Sequence, residues 1–298
     1  MISPKPLSKG SRIAIVAPAR FITESDLEYS LNHLRAEGFE PIYDDRLFAV
    51  SNQFAGDDNM RAGILQSYLD DPDIDAILCA RGGYGTIRII DRLCFDGFIR
   101  NPKWIVGYSD VTVLHAKLQS IGFESIHATM PINFRDNTEV ALTSLTDALT
   151  SQLLEYKIKS SPLNIQGEAE AEIVGGNISV LYSMLGSSIF PDTKGKILFL
   201  EDLDEYLYHI DRMMLAMDRA GKLDNIKGLV VGGLTKMHDN NIAFGKAAEE
   251  IILERVADKG IPVCFNFPAG HIDDNRAIIL GRSCQLSVEA DHSTIKMF

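Results

Sequence analysis

Asp75-Ala-Ile-Leu-Cys-Ala-Arg-Gly-Gly-Tyr-Gly85 is the stretch that decides the fold class. Residues 75–80 form a short apolar run, the pattern of a strand covered on both faces. The run breaks at Arg81-Gly-Gly-Tyr-Gly85, where glycine supplies the backbone freedom of a tight turn. A helix over 86–93 follows. Working outward, the same strand-then-helix unit recurs on both sides. Arg12-Ile-Ala-Ile-Val-Ala17 is a strand that ends at Pro18, and 24–37 is a helix with Leu27, Leu31 and Leu34 on one face and a stop at Gly38. Glu40-Pro-Ile-Tyr43 reads as a second strand, and 57–69 as a helix that puts Met60, Ile64 and Leu65 on one face. Downstream, Trp104-Ile-Val106 is a strand and 111–119 a helix. Strands separated by helices of this length predict an α/β domain with a parallel sheet covered on both faces.

The pattern loosens after about residue 135. Residues 1–135 are therefore read as the first domain and 136–166 as a connection, with a helix over 137–154 and a polar stretch over 157–166. Residues 167–298 read as a second, mixed α+β domain. Its strands are the alternating 168–174 and the apolar 196–200, 228–231 and 261–266. Helices are expected over 210–220 and 244–259, with a terminal pair formed by 277–280 and 284–289.

Composition narrows the function classes. The 298 residues are 46% hydrophobic and 23% charged, an ordinary globular balance. A net charge of -12, without a Lys/Arg run, argues against a nucleic-acid partner. Cys79, Cys94, Cys264 and Cys284 form no CxxC pair and read as reduced thiols. The N-terminus lacks the apolar core of a signal peptide, and no apolar run approaches the roughly 18 residues of a membrane span. The expected compartment is the cytoplasm, with no membrane partner.

Parallel sheets carry their chemistry at the carboxyl ends of strands. Three segments qualify: Ala17-Pro-Ala-Arg20, Arg81-Gly-Gly-Tyr-Gly85 and Gly107-Tyr-Ser-Asp110. Ser109 follows a strand and opens a helix, the setting of a nucleophile elbow, although Val111 stands where G-x-S-x-G has its second glycine. An N-cap role for Ser109 is compatible with the same position. The amides at Gly82-Gly83 and after Ser109 at Asp110 would make an oxyanion hole; the glycine turn fits neither a Walker nor a dinucleotide loop. A serine needs a base. His33 and His115 lie within helices and His292 near a charged terminus, whereas His271 follows Pro268-Ala-Gly270 just after a strand. Glu201 ends the apolar run 196–200, but Asp202, Asp204 and Glu205 compete with it as the orienting carboxylate. This acidic cluster contains no glycine and fails the EF-hand spacing, so no metal is expected.

Taken in order, Ile15-Val-Ala-Pro18, Ala80-Arg-Gly-Gly-Tyr-Gly85, Ile105-Val-Gly-Tyr-Ser-Asp110, Gly175-Gly-Asn177, Leu200-Glu-Asp202 with Ile210-Asp-Arg-Met213, and Gly270-His271 with Asn275 resemble the LD-carboxypeptidase family of serine peptidases. That family includes muramoyltetrapeptide carboxypeptidases and microcin C immunity peptidases. The resemblance implies an N-terminal flavodoxin-like parallel-sheet domain and a C-terminal swivelling β-rich α+β domain. It implies a triad of nucleophile Ser109, base His271 and orienting Glu201, an oxyanion hole of backbone Gly83 and Asp110, and no cofactor. The implied reaction releases terminal D-alanine from murein peptides in cell-wall recycling, and a homodimer is implied by the family. A carboxypeptidase needs a partner for the substrate carboxylate, for which Arg81 is the candidate (or a salt bridge across its turn), and Asn177 borders the cleft. Asn177 and Glu201 are only 24 positions apart, whereas immunity peptidases resemble one another in a longer insertion here; this favours the murein substrate. The alternatives are an immunity-like peptidase of other amide or aminoacyl-nucleotide substrates and a non-catalytic protein binding a small anionic ligand.

Overall fold

The computed structural model describes residues 1–150 and 153–298. The first part of the chain alternates β1 (Arg12–Val16), α1 (Glu24–Ala36), β2 (Glu40–Ile42), α2 (Asp58–Asp70), β3 (Ala76–Cys79), α3 (Thr86–Ile89), α4 (Asp96–Arg100), β4 (Trp104–Gly107), α5 (Thr112–Ser120), β5 (Ser125–His127) and α6 (Glu139–Leu149). Local chemistry sets several of these boundaries. Thr23 and Asp26 form a reciprocal capping box at the start of α1, and Asp57 caps α2 by accepting from Met60 N. The four residues of β3 are all buried, as expected of a strand covered on both faces.

The remaining elements are β6 (Leu154–Lys159), β7 (Gly167–Asn177), α7 (Ile178–Ser183), β8 (Ile197–Leu203), α8 (Leu207–Arg219), β9 (Gly228–Thr235), α9 (Ala248–Glu254), β10 (Val263–Cys264), β11 (Ile278–Leu280), β12 (Ser283–Val288) and β13 (His292–Met297). They build a second sheet in the order β10-β9-β8-β7-β12-β13-β6. Strands β10, β9, β8 and β7 run parallel, and β7, β12, β13 and β6 pair antiparallel. The long β7 serves both halves of this sheet: its alternating start pairs with β12, and its buried end, from Ile173 on, pairs with β8. Among the described residues, no helix is long and apolar enough to cross a membrane.

The first sheet runs β11-β5-β4-β3-β1-β2. Its parallel part has the order 2-1-3-4-5 of a flavodoxin-like sheet, with the chain reversing direction between β1 and β3. The loops after those two strands flank the crevice where such sheets bind ligands. The protein is thus α/β with two sheets, the flavodoxin-like one first and the β-rich one second.

Three local expectations fail. Residues 277–280 and 284–289 do not pair with each other. Instead β11 crosses back to pair antiparallel with β5, and β12 pairs with β13 and β7. The cause is burial: Ile278, Ile279 and Leu280 are all fully buried, and a strand without alternation needs cover on both faces. Gly281, at φ +92°, makes the reversal into β12. The polar stretch expected in the connection contains the end of β6, an edge strand whose outward side chains Glu155 and Lys157 mask its period. The helix expected over 244–259 is shorter, Ala248–Glu254 followed by a single turn at Ala257–Lys259.

Candidate active site

Strand β4 delivers the chain to Gly107, after which Tyr108 is extended and Ser109 takes φ +64°. Left-handed backbone is uncommon for a residue with a side chain and costs on the order of 1–3 kcal/mol, so it persists only where the surroundings impose it. Two features impose it here. A Cβ on Gly107 would lie 2.9 Å from Val111 Cγ2, so the valine that replaces the second elbow glycine fills the space left by the first. His115, on α5, binds the Gly107 carbonyl through Nε2 at 2.8 Å and Ser125 Oγ through Nδ1 at 2.8 Å. Because a carbonyl only accepts, Nε2 carries the proton and Nδ1 accepts from the serine. Ser109 is half-buried, and its side chain lies against Gly82, where a Cβ would come within 3.3 Å of Oγ.

The glycine turn is tied to this elbow. The buried Asp110 carboxylate accepts from Thr86 N at 2.8 Å, and burial raises its pKa against that bond. Among the described residues the Gly83 N–H donates to no protein acceptor. Arg61, nearly fully buried on α2, donates through Nη1 to the carbonyls of Pro18 and Gly85, clamping the loops after β1 and β3 together. Sequence reading missed Arg61, because a lone arginine on an amphipathic helix carries no signal of the loops it reaches.

The second sheet supplies the other side. Glu201, fully buried near the end of β8, accepts a 2.7 Å hydrogen bond at Oε2 from His271 Nδ1. Gly270 makes this approach possible, since a Cβ there would lie 2.6 Å from Oε2. Asn275 Oδ1 accepts from Gly270 N at 2.8 Å, and Thr235 Oγ1 donates to the His271 carbonyl at 3.2 Å, fixing the loop. The Tyr108 ring meets the imidazole edge-on at 4.8 Å, and its hydroxyl donates to Asn133 Oδ1 at 3.0 Å. With Nδ1–H committed to Glu201, Nε2 of His271 is the acceptor. Burial works against a charged imidazole, but the attraction and hydrogen bond of Glu201 outweigh it, so the His271 pKa lies above its ordinary 6.5. Burial works against the Glu201 carboxylate too, and His271 outweighs it, holding the pKa low.

Ser109 and His271 both line one cleft of about 490 Å³ between the sheets. Among the described residues no hydrogen bond joins the Ser109 side chain to the imidazole. Arg81 and Asn177 also line this cleft. Arg81 Nη1 donates to the Phe21 carbonyl at 3.2 Å, and the salt bridge considered for it is not found among the described residues. Asn177 is held at both ends of its amide: Nδ2 donates to Asp202 Oδ1 at 2.9 Å, and Oδ1 accepts from Val180 N and Ser179 Oγ. The competitors of Glu201 are thereby separated. Asp202 is buried, accepts from Asn177, Ser179 N and Leu203 N, and is pushed up to about 7 by burial and then by the neighbouring Glu201 charge. Asp204 faces His238 at 2.6 Å and Glu205 faces His209 at 2.6 Å. A further histidine was not singled out from the sequence: His127, at the end of β5, lies between the rings of Tyr108 and Phe199, and burial takes its pKa down to about 4.

Comparison with known proteins places this site in a family. The description of an LD-carboxypeptidase N-terminal domain matches residues 13–128, and that of the C-terminal domain matches 170–286. A Bacillus subtilis (strain 168) protein described as a probable murein peptide carboxypeptidase is 32% identical, over 98% of this chain and 94% of the relative. The murein tetrapeptide carboxypeptidase of Pseudomonas aeruginosa is 27% identical over 92% of each chain. The crystal structure of muramoyltetrapeptide carboxypeptidase from Oxalobacter formigenes shares the fold with a TM-score of 0.87 and 28% identity, over 96% of this chain and 98% of that one. The microcin C7 self-immunity protein MccF has a TM-score of 0.89 at 20% identity, over 99% and 98% of the two chains, a likeness of fold. With both domain descriptions matched in order and relatives aligned along nearly its whole length, this chain belongs to the LD-carboxypeptidase family.

Proposed function

We propose that this carboxypeptidase hydrolyses the bond between the L-centre of a diamino acid and the terminal D-alanine of murein peptides, through an acyl-enzyme on Ser109. The observation that carries the residue assignment is the Glu201–His271 pair, aimed into the cleft that the strained Ser109 lines. His271 Nε2 takes the proton of Ser109 Oγ as the oxygen attacks the scissile carbonyl. Glu201 holds the Nδ1–H tautomer and stabilises the imidazolium that forms. The amides of Gly83 and Asp110 receive the developing oxyanion. Collapse of the tetrahedral intermediate breaks the C–N bond, and His271 passes its proton to the departing D-alanine amine. Water, deprotonated by the same imidazole, then releases the peptide from Ser109. Hydrogen bonds of this kind often tighten only when substrate is bound, which fits a serine and histidine that share a cleft without touching.

Incubation with murein tetrapeptide, followed by mass spectrometry of free D-alanine, tests the proposal. Release by the wild-type chain should fall by several orders of magnitude in Ser109→Ala, because such residues act as a unit. Unchanged release from Ser109→Ala would overturn the nucleophile assignment, and cleavage of an L-alanine-terminated analogue in preference to the D form would overturn the substrate. An immunity-type activity is the second reading, supported by the likeness of fold. Cleavage of an aminoacyl sulfamoyl nucleotide, with none of the tetrapeptide, would establish it instead.

A further inference from the structure

The cleft is electrically two-ended. The second sheet contributes Asp202, Asp204 and Glu205, and the first contributes Arg20 and Arg81. The acidic end is largely partnered, as Asp204 and Glu205 each face a histidine and Asp202 accepts three hydrogen bonds. The basic end is not. Among the described residues neither guanidinium has a carboxylate within 4.0 Å, and the side chain of Arg20 makes no hydrogen bond. Two unpaired guanidinium groups lining the cleft of the nucleophile form a site for an anion.

Their placement says which anion. The stem of Arg20 lies across Gly83, where a Cβ would come within 2.6 Å of Cδ and 2.8 Å of Nε. Arg20 therefore packs against the glycine whose amide is assigned to the oxyanion hole. Its backbone is pinned on both sides, because Ala19 O accepts from Ala55 N at 3.1 Å and Phe21 N donates to Gln53 O at 3.2 Å. Arg81 is hooked by Nη1 onto the carbonyl of Phe21, the residue that follows Arg20, so one short segment organises both guanidinium groups. In a substrate, the terminal carboxylate lies only one residue beyond the scissile carbonyl, within about 5 Å of the reacting carbon. An anion site beside the oxyanion amides is at the right range for it.

We infer that Arg20, together with Arg81, grips the terminal carboxylate of the leaving D-amino acid and that Arg20 makes the enzyme an exopeptidase. This rests on the murein carboxypeptidase reading and adds the group that selects a free carboxyl end. A peptide extended past D-alanine, or capped as an amide, leaves both guanidinium groups without their partner.

The test separates binding from turnover. In the full-length Ser109→Ala chain, calorimetric titration compares murein tetrapeptide ending in D-alanine with the same peptide ending in D-alaninamide. The acid should bind roughly tenfold to a hundredfold more tightly than the amide, the range of a charge-assisted hydrogen-bonded pair. Adding Arg20→Gln should shrink that ratio at least fivefold, and Arg20→Lys should restore part of it, since ammonium keeps the charge without the planar fork. Thermal melting of each variant checks that this exposed position leaves the fold intact. An acid-to-amide ratio untouched by Arg20→Gln, or equal binding of the two peptides in the Ser109→Ala chain, overturns the inference. Failure of the wild-type chain to release D-alanine would count against the murein reading alone, because the carboxylate preference is read without turnover.

Discussion

Ser109 holds its left-handed backbone because its neighbours leave no alternative: Val111 packs onto Gly107, His115 grips the Gly107 carbonyl and Gly82 gives room beside the side chain. The electrostatics beside it set the pH response. The proposed base is the neutral imidazole, and Glu201 keeps the His271 pKa above 6.5 against the cost of burial, so the charged form persists to higher pH than for a free histidine. Accordingly, kcat/KM for D-alanine release should rise with pH through a midpoint above 6.5 and be lost on the acid side. Glu201→Gln removes the opposing charge, so the midpoint should move to lower pH, and the rate should fall by roughly three to four orders of magnitude through loss of the tautomer. A pH profile of both proteins checks this; an unshifted midpoint would deny Glu201 its role. The sequence made Ser109, Glu201 and His271 visible because each ends or follows an apolar strand. Arg20 was in view for the same reason, at the end of Ala17-Pro-Ala-Arg20. His127 was not, since what defines it is neighbours brought from other strands, and Asp202, in view as a competing carboxylate, was separated from Glu201 only by such neighbours.

At the level of elements, one clamp joins two of the loops beside the cleft. Arg61 joins the loops after β1 and β3 through the carbonyls of Pro18 and Gly85, and Gly85 lacks a Cβ that would lie 2.7 Å from Arg61 Nη1. Arg61→Met keeps the packing stem and removes the donors, leaving the Pro18 carbonyl unsatisfied while the Gly85 carbonyl keeps only Arg88 N. A loss of about 1–3 kcal/mol is expected in urea denaturation, with reduced activity in the folded protein, the cost of one orphaned buried group. A loss below about 0.5 kcal/mol would show that the loops hold without it. The alternation of strand and helix in the first sheet was readable because β1, β3 and β4 are short apolar runs closed by glycine or proline, whereas β5, Ser125-Ile-His127, has one apolar residue and was not read as a strand. Strand β11 was misassigned because three apolar residues say that both faces are covered but not by which sheet. Strand β6 was missed because a two-faced edge strand with Glu155 and Lys157 outward looks like a polar connection.

Across the whole molecule, the two sheets are stitched together rather than tethered. Strand β11 leaves the second part of the chain to close the edge of the first sheet. Arg282 pairs with Glu124 at 2.8 Å, the Asn177 backbone N–H donates to Thr112 Oγ1 at 3.1 Å, and Thr138 N donates to Asp273 O at 3.0 Å. A Cβ on Gly176 would lie 2.7 Å from Thr112 Oγ1, so the ends of β7 and α5 meet closely. Trp104, the single tryptophan, is buried in β4 with the Arg282 guanidinium 5.8 Å from its ring, so it reports on the first sheet and its seam with the second, whereas far-UV circular dichroism averages both sheets. The two signals should lose structure at the same urea concentration; separated midpoints would mean that the halves unfold independently. This interlocking was the part least legible in the sequence, because it depends on contacts between segments more than sixty residues apart. It is also what the proposed chemistry requires, as the proposed nucleophile comes from one sheet and its proposed base and orienting carboxylate from the other. The most direct measurement of that claim is D-alanine release by Ser109→Ala, His271→Ala and the double variant. If the three side chains act as one assembly, each single variant should lose several orders of magnitude and the double variant should be no worse than either, within about threefold. Losses that multiply in the double variant, or a His271→Ala chain within about tenfold of wild type, would contradict it.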